Sequence, residues 1–281
     1  MTYGNKRVAS NTIAFAVLTV LAVIFLLPIA LVFMNSFKSR LYISSAPFQF
    51  PTAQTFVGFE NYIKGLTSSG FFVAFMRSVF ITVFGVIVII VCTSMTSWFI
   101  VRVKNRFTRF LYVMFAFSMI VPFQMVMYTM TYVVQTICFN NLPGVIFVYL
   151  GFGAGLAVFM FTGFVKAVPL EIEEAAEIDG CSPLQTYFQI VFPILKPTAI
   201  TVAILQAMWL WNDYLLPYLV LGTRHKTVPV AIQLAMQGAY GSTDYGGFMA
   251  MLVVSIIPII AFYISSQKYI IKGVIAGAVK G

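Results

Sequence analysis

Long uncharged apolar stretches separated by short polar turns dominate this chain. No charge falls between Val8 and Phe37, Ser78 and Val101, Phe110 and Val165, or Tyr245 and Gln267, and a stretch from Pro197 onward is broken only by Asp213. A helix crossing a bilayer needs roughly 20 apolar residues. The stretch from Phe110 to Val165 is too long for one crossing, and Asn140-Asn141-Leu142-Pro143-Gly144 supplies the turn chemistry that divides it. The pattern predicts six helices near residues 12–34, 75–100, 110–137, 144–165, 199–221 and 247–267, and hence an all-α polytopic membrane protein.

Composition agrees with that class: 60% of residues are hydrophobic, 9% are charged and the net charge is +9. Lys6 and Arg7 precede the first apolar run, as in a secretory signal, but the run exceeds the roughly 7 to 15 residues of a signal core. An uncleaved first helix is expected. The three cysteines, Cys92, Cys138 and Cys181, lie in or beside different segments without metal or redox spacing, so no disulfide framework is expected.

Orientation follows from the basic residues. With the N-terminus inside, the cytoplasmic side receives Lys6, Arg7, Arg102, Lys104, Arg106, Arg109, Lys166, Lys196, Lys268, Lys272 and Lys280, eleven of the seventeen. Cytoplasmic loops carry the excess of Lys and Arg. Both termini are therefore expected in the cytoplasm, with residues 38–71 outside. The Arg102–Arg109 turn is a membrane hairpin and does not read as a nucleic-acid surface.

Five of the eight acidic residues, Glu171, Glu173, Glu174, Glu177 and Asp179, fall in one polar strip that this topology places inside. Pro169 suits a helix start, the carboxylates complement the positive end of the helix dipole, and Gly180 suits a stop. At 100° per residue, Glu173, Glu174 and Glu177 are expected on one face, and Ile172, Ala175 and Ala176 on the other. After Gly180, Ser182 and Pro183 begin a second short helix, in which Leu184, Tyr187, Phe188 and Val191 recur at i, i+3, i+4 and i+7. Two short helices meeting at a glycine hinge are expected.

Glu174-Ala175-Ala176, three residues, Gly180, nine residues, then Ile190-Val191-Phe192-Pro193 resembles the EAA loop of ABC importer permeases, with Phe192 where leucine is usual. Further stretches resemble carbohydrate permeases of the maltose type, in particular the MalG-like half of the pair. These are Asn35-Ser36-Phe37-Lys38, Phe59-Glu60-Asn61-Tyr62, Trp211-Asn212-Asp213-Tyr214-Leu215-Leu216-Pro217, and an ending from Gln267-Lys268-Tyr269 to Ala278-Val279-Lys280-Gly281. The similarity covers nearly the whole chain and implies a type I (MetI-like) permease fold. It implies an accessory segment at 1–71, a permease core at 72–267 with its coupling loop at 169–197, and a cytoplasmic tail at 268–281.

The resemblance implies a division of labour. A cytoplasmic ATPase would seat the loop as a coupling helix, drawing on Glu174, Ala175, Ala176, Glu177, Asp179, Gly180 and Pro193. The implied partners are a second permease subunit in a heterodimer, two ATPase subunits and an extracytoplasmic sugar-binding protein, all at the cytoplasmic membrane. ATP and Mg would be bound by the ATPase, and no cofactor is expected in this chain. No glycine is followed directly by lysine, so the chain lacks a phosphate-binding loop of its own.

Catalysis has little to stand on. The single histidine, His225, lies between Arg224 and Lys226 in an expected outer loop, and the strip's carboxylates read as a solvated helix, not a metal or acid–base site. Asp213 is an ionisable group within an apolar segment, where such groups face a cavity or a partner helix. Two readings stand: Asp213 with Asn212 lines the pathway, or the pair hydrogen-bonds across to a neighbour. Trp209, Trp211 and Tyr214 likewise either stack on a sugar or join an interfacial aromatic belt. Pro122 and Pro258 read as mid-helix kinks and Pro217 as a late one. Gly151, Gly153 and Gly155 read as a helix-packing surface, and Gly273 and Gly277 as a close approach to the ATPase. An ion-coupled carrier working alone is the rival class, and a permease of the same architecture for a non-sugar solute is the rival substrate.

Overall fold

The computed structural model describes residues 2–68, 70–237 and 244–278, and its regular elements are helical apart from one isolated bridge between Lys38 and Phe56. The chain divides into two compact units. One comprises Met1–Phe72 with Ala231–Pro258, the other Val73–Val230 with Ile259–Gly281.

In the first unit, α1 (Thr2–Asn35) presents exposed apolar side chains all round from residue 11 through most of its length, as suits a helix solvated by lipid. It is followed by the short α2 (Arg40–Ser45) and α3 (Glu60–Ser68). Two of the motifs picked out in the sequence meet here. The Asn61 amide donates to the carbonyls of Ser36 and Lys38 at 2.8 Å each, and the Ser36 and Tyr62 hydroxyls are 2.7 Å apart. Phe37 stands among Phe33, Phe56, Phe59 and Tyr62. Asn35-Ser36-Phe37-Lys38 and Phe59-Glu60-Asn61-Tyr62 are thus two halves of one knot that fixes where α1 ends. Lys38 is buried in it, its ammonium donating to the Ala46 carbonyl at 3.0 Å.

The remaining helices are α4 (Phe71–Arg102), α5 (Arg106–Ser118), α6 (Phe123–Thr136), α7 (Leu142–Val165), α8 (Leu170–Ile178), α9 (Pro183–Thr186), α10 (Phe192–Asn212), α11 (Leu215–Leu221), α12 (Val228–Met236) and α13 (Tyr245–Ala278). The core of the second unit gathers Ile81, Ile89, Tyr149, Phe161, Tyr187 and Leu195. The small-residue stripe of α7 packs within the chain. A Cβ on Gly153 would come within 2.9 Å of Ile89 and Gln206, and one on Gly155 within 2.6 Å of Ser118, whereas Gly151 faces open space.

Three segments differ from the expected spans. The predicted third helix is two, α5 and α6, bent by 109°. Pro122 is therefore not a mid-helix kink: it takes extended backbone, ψ 137°, and caps α6. Proline restricts the residue before it to extended backbone and lacks the donor that continues a helix. The fifth span begins at Pro183 and not near 199, because α9 continues through a π-turn at Tyr187–Val191 into α10. The expected second short helix is thus the first part of a span. The π-turn ends two residues before Pro193, where the missing N–H already interrupts the regular hydrogen-bond ladder. The same span stops at Asn212, and the chain restarts at Leu215 as α11, so Asp213 occupies a break. The sixth helix continues past 267 to Ala278, which puts Gly273 and Gly277 on helical backbone. Pro258 lies inside α13 and Pro217 inside α11.

Candidate coupling site and membrane pathway

The acidic strip forms α8, which ends in a Schellman motif. Gly180 has φ +84°, its N–H reaches the Glu177 carbonyl, and the Cys181 N–H reaches back to the Ala176 carbonyl, both at 3.0 Å. Ser182 then opens α9 with a capping box, exchanging hydrogen bonds with Gln185. Glycine is required at 180 by conformation, since a Cβ there would meet nothing within 4 Å.

The two faces of α8 are not those drawn from the 100° wheel. Glu173 and Ala176 are buried, while Glu171, Glu174, Ala175, Glu177 and Ile178 are exposed. Asp179, Gly180 and Pro193 are exposed too. Glu173 is drawn in by a partner far away in sequence: Arg102, the last residue of α4. Arg102 Nε lies 3.0 Å from both carboxylate oxygens, Nη2 lies 2.6 Å from Oε1, and Nη2 also donates to the Val168 carbonyl. The Trp98 indole N–H donates to the same carboxylate at 2.9 Å. Ala176 packs inward beside Glu173 on the helix, and the outward surface is a mixed strip of Glu171, Glu174, Ala175 and Ile178, the last 86% exposed.

One row of α4 holds the whole loop. Ser94, Trp98 and Arg102 follow at i, i+4 and i+8, hence along one side of the helix. Trp98 and Arg102 grip α8, and the Ser94 hydroxyl meets the buried Tyr187 hydroxyl at 2.5 Å, where the π-turn begins. The Trp98 and Tyr187 rings lie 5.5 Å apart. A force applied to α8 therefore reaches α4 directly and α10 through the π-turn. The hint in the sequence was Ser, Trp and Arg at four-residue steps towards the end of a largely apolar helix.

Asp213 caps α11 and ties it to α7. One carboxylate oxygen accepts from the backbone N–H groups of Leu215 and Leu216, and the other from the Tyr149 hydroxyl at 3.0 Å. Trp209 stands edge-on to Tyr149, 37% exposed, and Tyr214 stacks on Tyr218. Asn212 is exposed and donates to the Met208 carbonyl. Trp211 is buried against Phe75. His225 is half-buried in the turn before α12.

α6 lies within the expected third helix, but none of its exposed polar side chains was among the candidate pathway residues. The exposed face of α6 carries Gln124, Tyr128, Thr129, Tyr132 and Gln135 together with the apolar Met125 and Val133, with Tyr128 75%, Tyr132 72% and Met125 77% exposed. These positions cluster on one side of the helix at 100° per residue. Amides and phenols are costly against hydrocarbon, so such a face suits water, a polar solute or another protein chain. Period and composition together could have shown it, but the segment's overall hydropathy concealed it.

Residues 85–276 match the family described as binding-protein-dependent transport system inner membrane component. The chain is 36% identical to a probable starch degradation products transport permease, AmyC, of Thermoanaerobacterium thermosulfurigenes, over 93% of this chain and 94% of the other. It is 35% identical to the multiple sugar-binding transport permease MsmG of Streptococcus mutans, over 95% and 96%. Its fold resembles a chain in the crystal structure of a bacterial ABC transporter involved in the import of the acidic polysaccharide alginate, with TM-score 0.78, 22% identity and coverage of 96% and 98%. The chain belongs to the inner-membrane components of binding-protein-dependent transport systems.

Proposed function

We propose that the chain is the permease subunit of an ATP-driven importer for a sugar or oligosaccharide, coupled to a separate ATPase through α8. The similarity to sugar permeases over more than nine-tenths of the chain supports the substrate class. The observation that carries the coupling role is the arrangement of α8. Its inner face is bolted to α4 by Arg102 and Trp98, and its outer face leaves Glu174, Ala175 and Ile178 free for a second protein. Nucleotide binding can shift the permease between states only through differential affinity, and a helix rigidly tied to the spans transmits that difference. The hydrolytic site and its Mg would lie in the ATPase.

In this reading both termini and α8 are cytoplasmic, the second permease is a different chain, and the binding protein meets the opposite side. The solute pathway includes the amides and phenols on the exposed face of α6, together with the exposed Asn212 and Trp209. Asp213 and Tyr214 position the α10–α11 break that presents those two side chains.

The test is reconstitution of the chain with its co-purified subunits in proteoliposomes, followed by uptake of labelled mono- and oligosaccharides with and without ATP. Sugar accumulation that requires ATP supports the proposal. Accumulation driven by an ion gradient without ATP would overturn it, and ATP-dependent uptake of a non-sugar solute alone would overturn the substrate class.

A further inference from the structure

A basic cleft of about 780 Å³ opens beside the coupling site, between the end of α4, the start of α5 and the end of α7. Five cationic side chains line it, Arg102, Lys104, Arg106, Arg109 and Lys166, and no carboxylate does. Arg102 is neutralised by Glu173. The other four have no ion-pair partner among the described residues, although Lys166 lies over the Tyr112 ring at 5.7 Å. Nothing in the coupling role uses them.

Their placement is specific. Arg102 ends α4, Arg106 begins α5, and Lys166 directly follows α7. All three elements end at the cleft, which puts it at the level where the apolar spans meet the aqueous boundary and lipid phosphates lie. The cleft is also of a size typical of ligand pockets. From Arg106 at the rim of the cleft, Phe110 and Val113 follow at i+4 and i+7 on α5, 59% and 58% exposed, so an apolar strip runs from the cleft along the helix. Four uncompensated cations beside an exposed apolar strip form a site with a polar head and an apolar flank. That is the shape of a phospholipid, and basic pockets at this depth take anionic headgroups.

We infer that this cleft binds an anionic phospholipid, its phosphate among Lys104, Arg106, Arg109 and Lys166 and its acyl chains along Phe110 and Val113. Charge complementarity selects the occupant. A zwitterionic lipid would bring a second cation into a cleft that has no acid to receive it. A free phosphate would satisfy the cations and leave the apolar flank of α5 unused. The bound lipid stands next to Arg102, so its occupancy steadies the turn from which α8 is held.

The test uses the whole complex, purified in detergent and mixed with micelles containing phosphatidylglycerol, cardiolipin or phosphatidylcholine, with retained lipid counted by native mass spectrometry. The wild-type complex should retain the two anionic lipids over phosphatidylcholine. Each Lys or Arg near an anionic surface contributes about a fivefold attraction, so Arg106→Gln/Arg109→Gln/Lys166→Gln should weaken retention on the order of a hundredfold. Thermal stabilisation by the anionic lipids should disappear with it, because a ligand stabilises the state that binds it. Lys196→Gln/Lys268→Gln removes the same kind of charge elsewhere and should leave retention unchanged.

Equal retention by wild type and the triple variant would overturn the assignment, as would a loss of equal size in the control variant. Competition by inorganic phosphate or glycerol phosphate at lipid-like concentrations would make the site one for soluble phosphate. Retention by the permease alone that vanishes in the assembled complex would give the cleft to a partner protein. If the triple variant fails to assemble, Lys104→Gln/Arg109→Gln, both on exposed positions, carries the same measurement with a drop of about twenty-five-fold. None of these outcomes depends on which solute is transported.

Discussion

Arg102 holds Glu173 through both carboxylate oxygens, at 2.6 to 3.0 Å, across 71 positions of sequence. The Glu173 side chain is 6% exposed and that of Arg102 20%. The pair is nearly desolvated, and such a pair is more damaging to break than it is stabilising to have. Among the described residues it is also the one ion pair that joins α4 to α8, the helix proposed to meet the ATPase.

Glu173→Gln and Arg102→Met should each destabilise the complex by about 3–5 kcal/mol, because each leaves one buried charge unpaired. The double variant Arg102→Met/Glu173→Met should cost less than the sum of the two. Thermal unfolding of the purified complex measures both claims. Additive losses would mean the pair is not a unit.

Gly180 follows a different rule. Its φ of +84° costs an L-residue roughly 1–2 kcal/mol. Gly180→Ala should therefore lower stability by about that amount and slow uptake, with Gly180→Asn milder because asparagine tolerates this region. Gly180→Pro cannot adopt the angle at all, and it should abolish ATP-dependent uptake while membrane insertion continues. Undiminished uptake by the proline variant would remove α8 from the coupling route.

Glu174 tests the outer face of α8. It is exposed and its side chain makes no hydrogen bond or ion pair among the described residues, so Glu174→Lys should leave thermal stability within about 0.5 kcal/mol of wild type. ATP hydrolysis by the partner should persist while sugar uptake falls at least tenfold. Loss of stability together with uptake would point to a structural role instead.

How much of this was legible beforehand depends on the range of the interaction. The bounds of α8, its glycine stop and the Ser182 cap are local signals, and the residues that make them lie within five positions of each other. The Arg102 partner of Glu173 left no local trace, so the helical wheel placed Glu173 with the solvated glutamates. The same limit applies to the breaks at Pro122 and Asp213. Hydropathy reports that a segment is apolar, not whether it is straight, and proline permits either a kink or a stop. The two motifs knotted around Asn61 were visible as words, but only folding brought Ser36 and Lys38 to one amide.

Asp213 and the α6 face offer opposite expectations for the pathway. Both oxygens of Asp213 are engaged, and Asp213→Asn retains one acceptor for the α11 cap, so it should leave sugar preference and apparent KM unchanged while lowering the unfolding midpoint. On α6, Tyr128 and Gln124 are exposed in an apolar segment, and their side chains make no hydrogen bond among the described residues. With Cys92, Cys138 and Cys181 replaced by serine, a cysteine at Tyr128 or Gln124 should react with a membrane-impermeant thiol reagent, and transported sugar should slow the reaction. A cysteine at Val113, exposed on an apolar part of α5 two turns from the aqueous boundary, should stay unreactive. Tyr128→Ala should raise the apparent KM several-fold with stability intact, since an aromatic face that stacks on a base is worth roughly 1–3 kcal/mol and a sugar ring stacks less strongly. Labelling of Tyr128Cys that sugar does not slow, or that needs a reagent soluble in lipid, would show that α6 faces a protein or lipid neighbour and would return the pathway to Trp209 and Asn212.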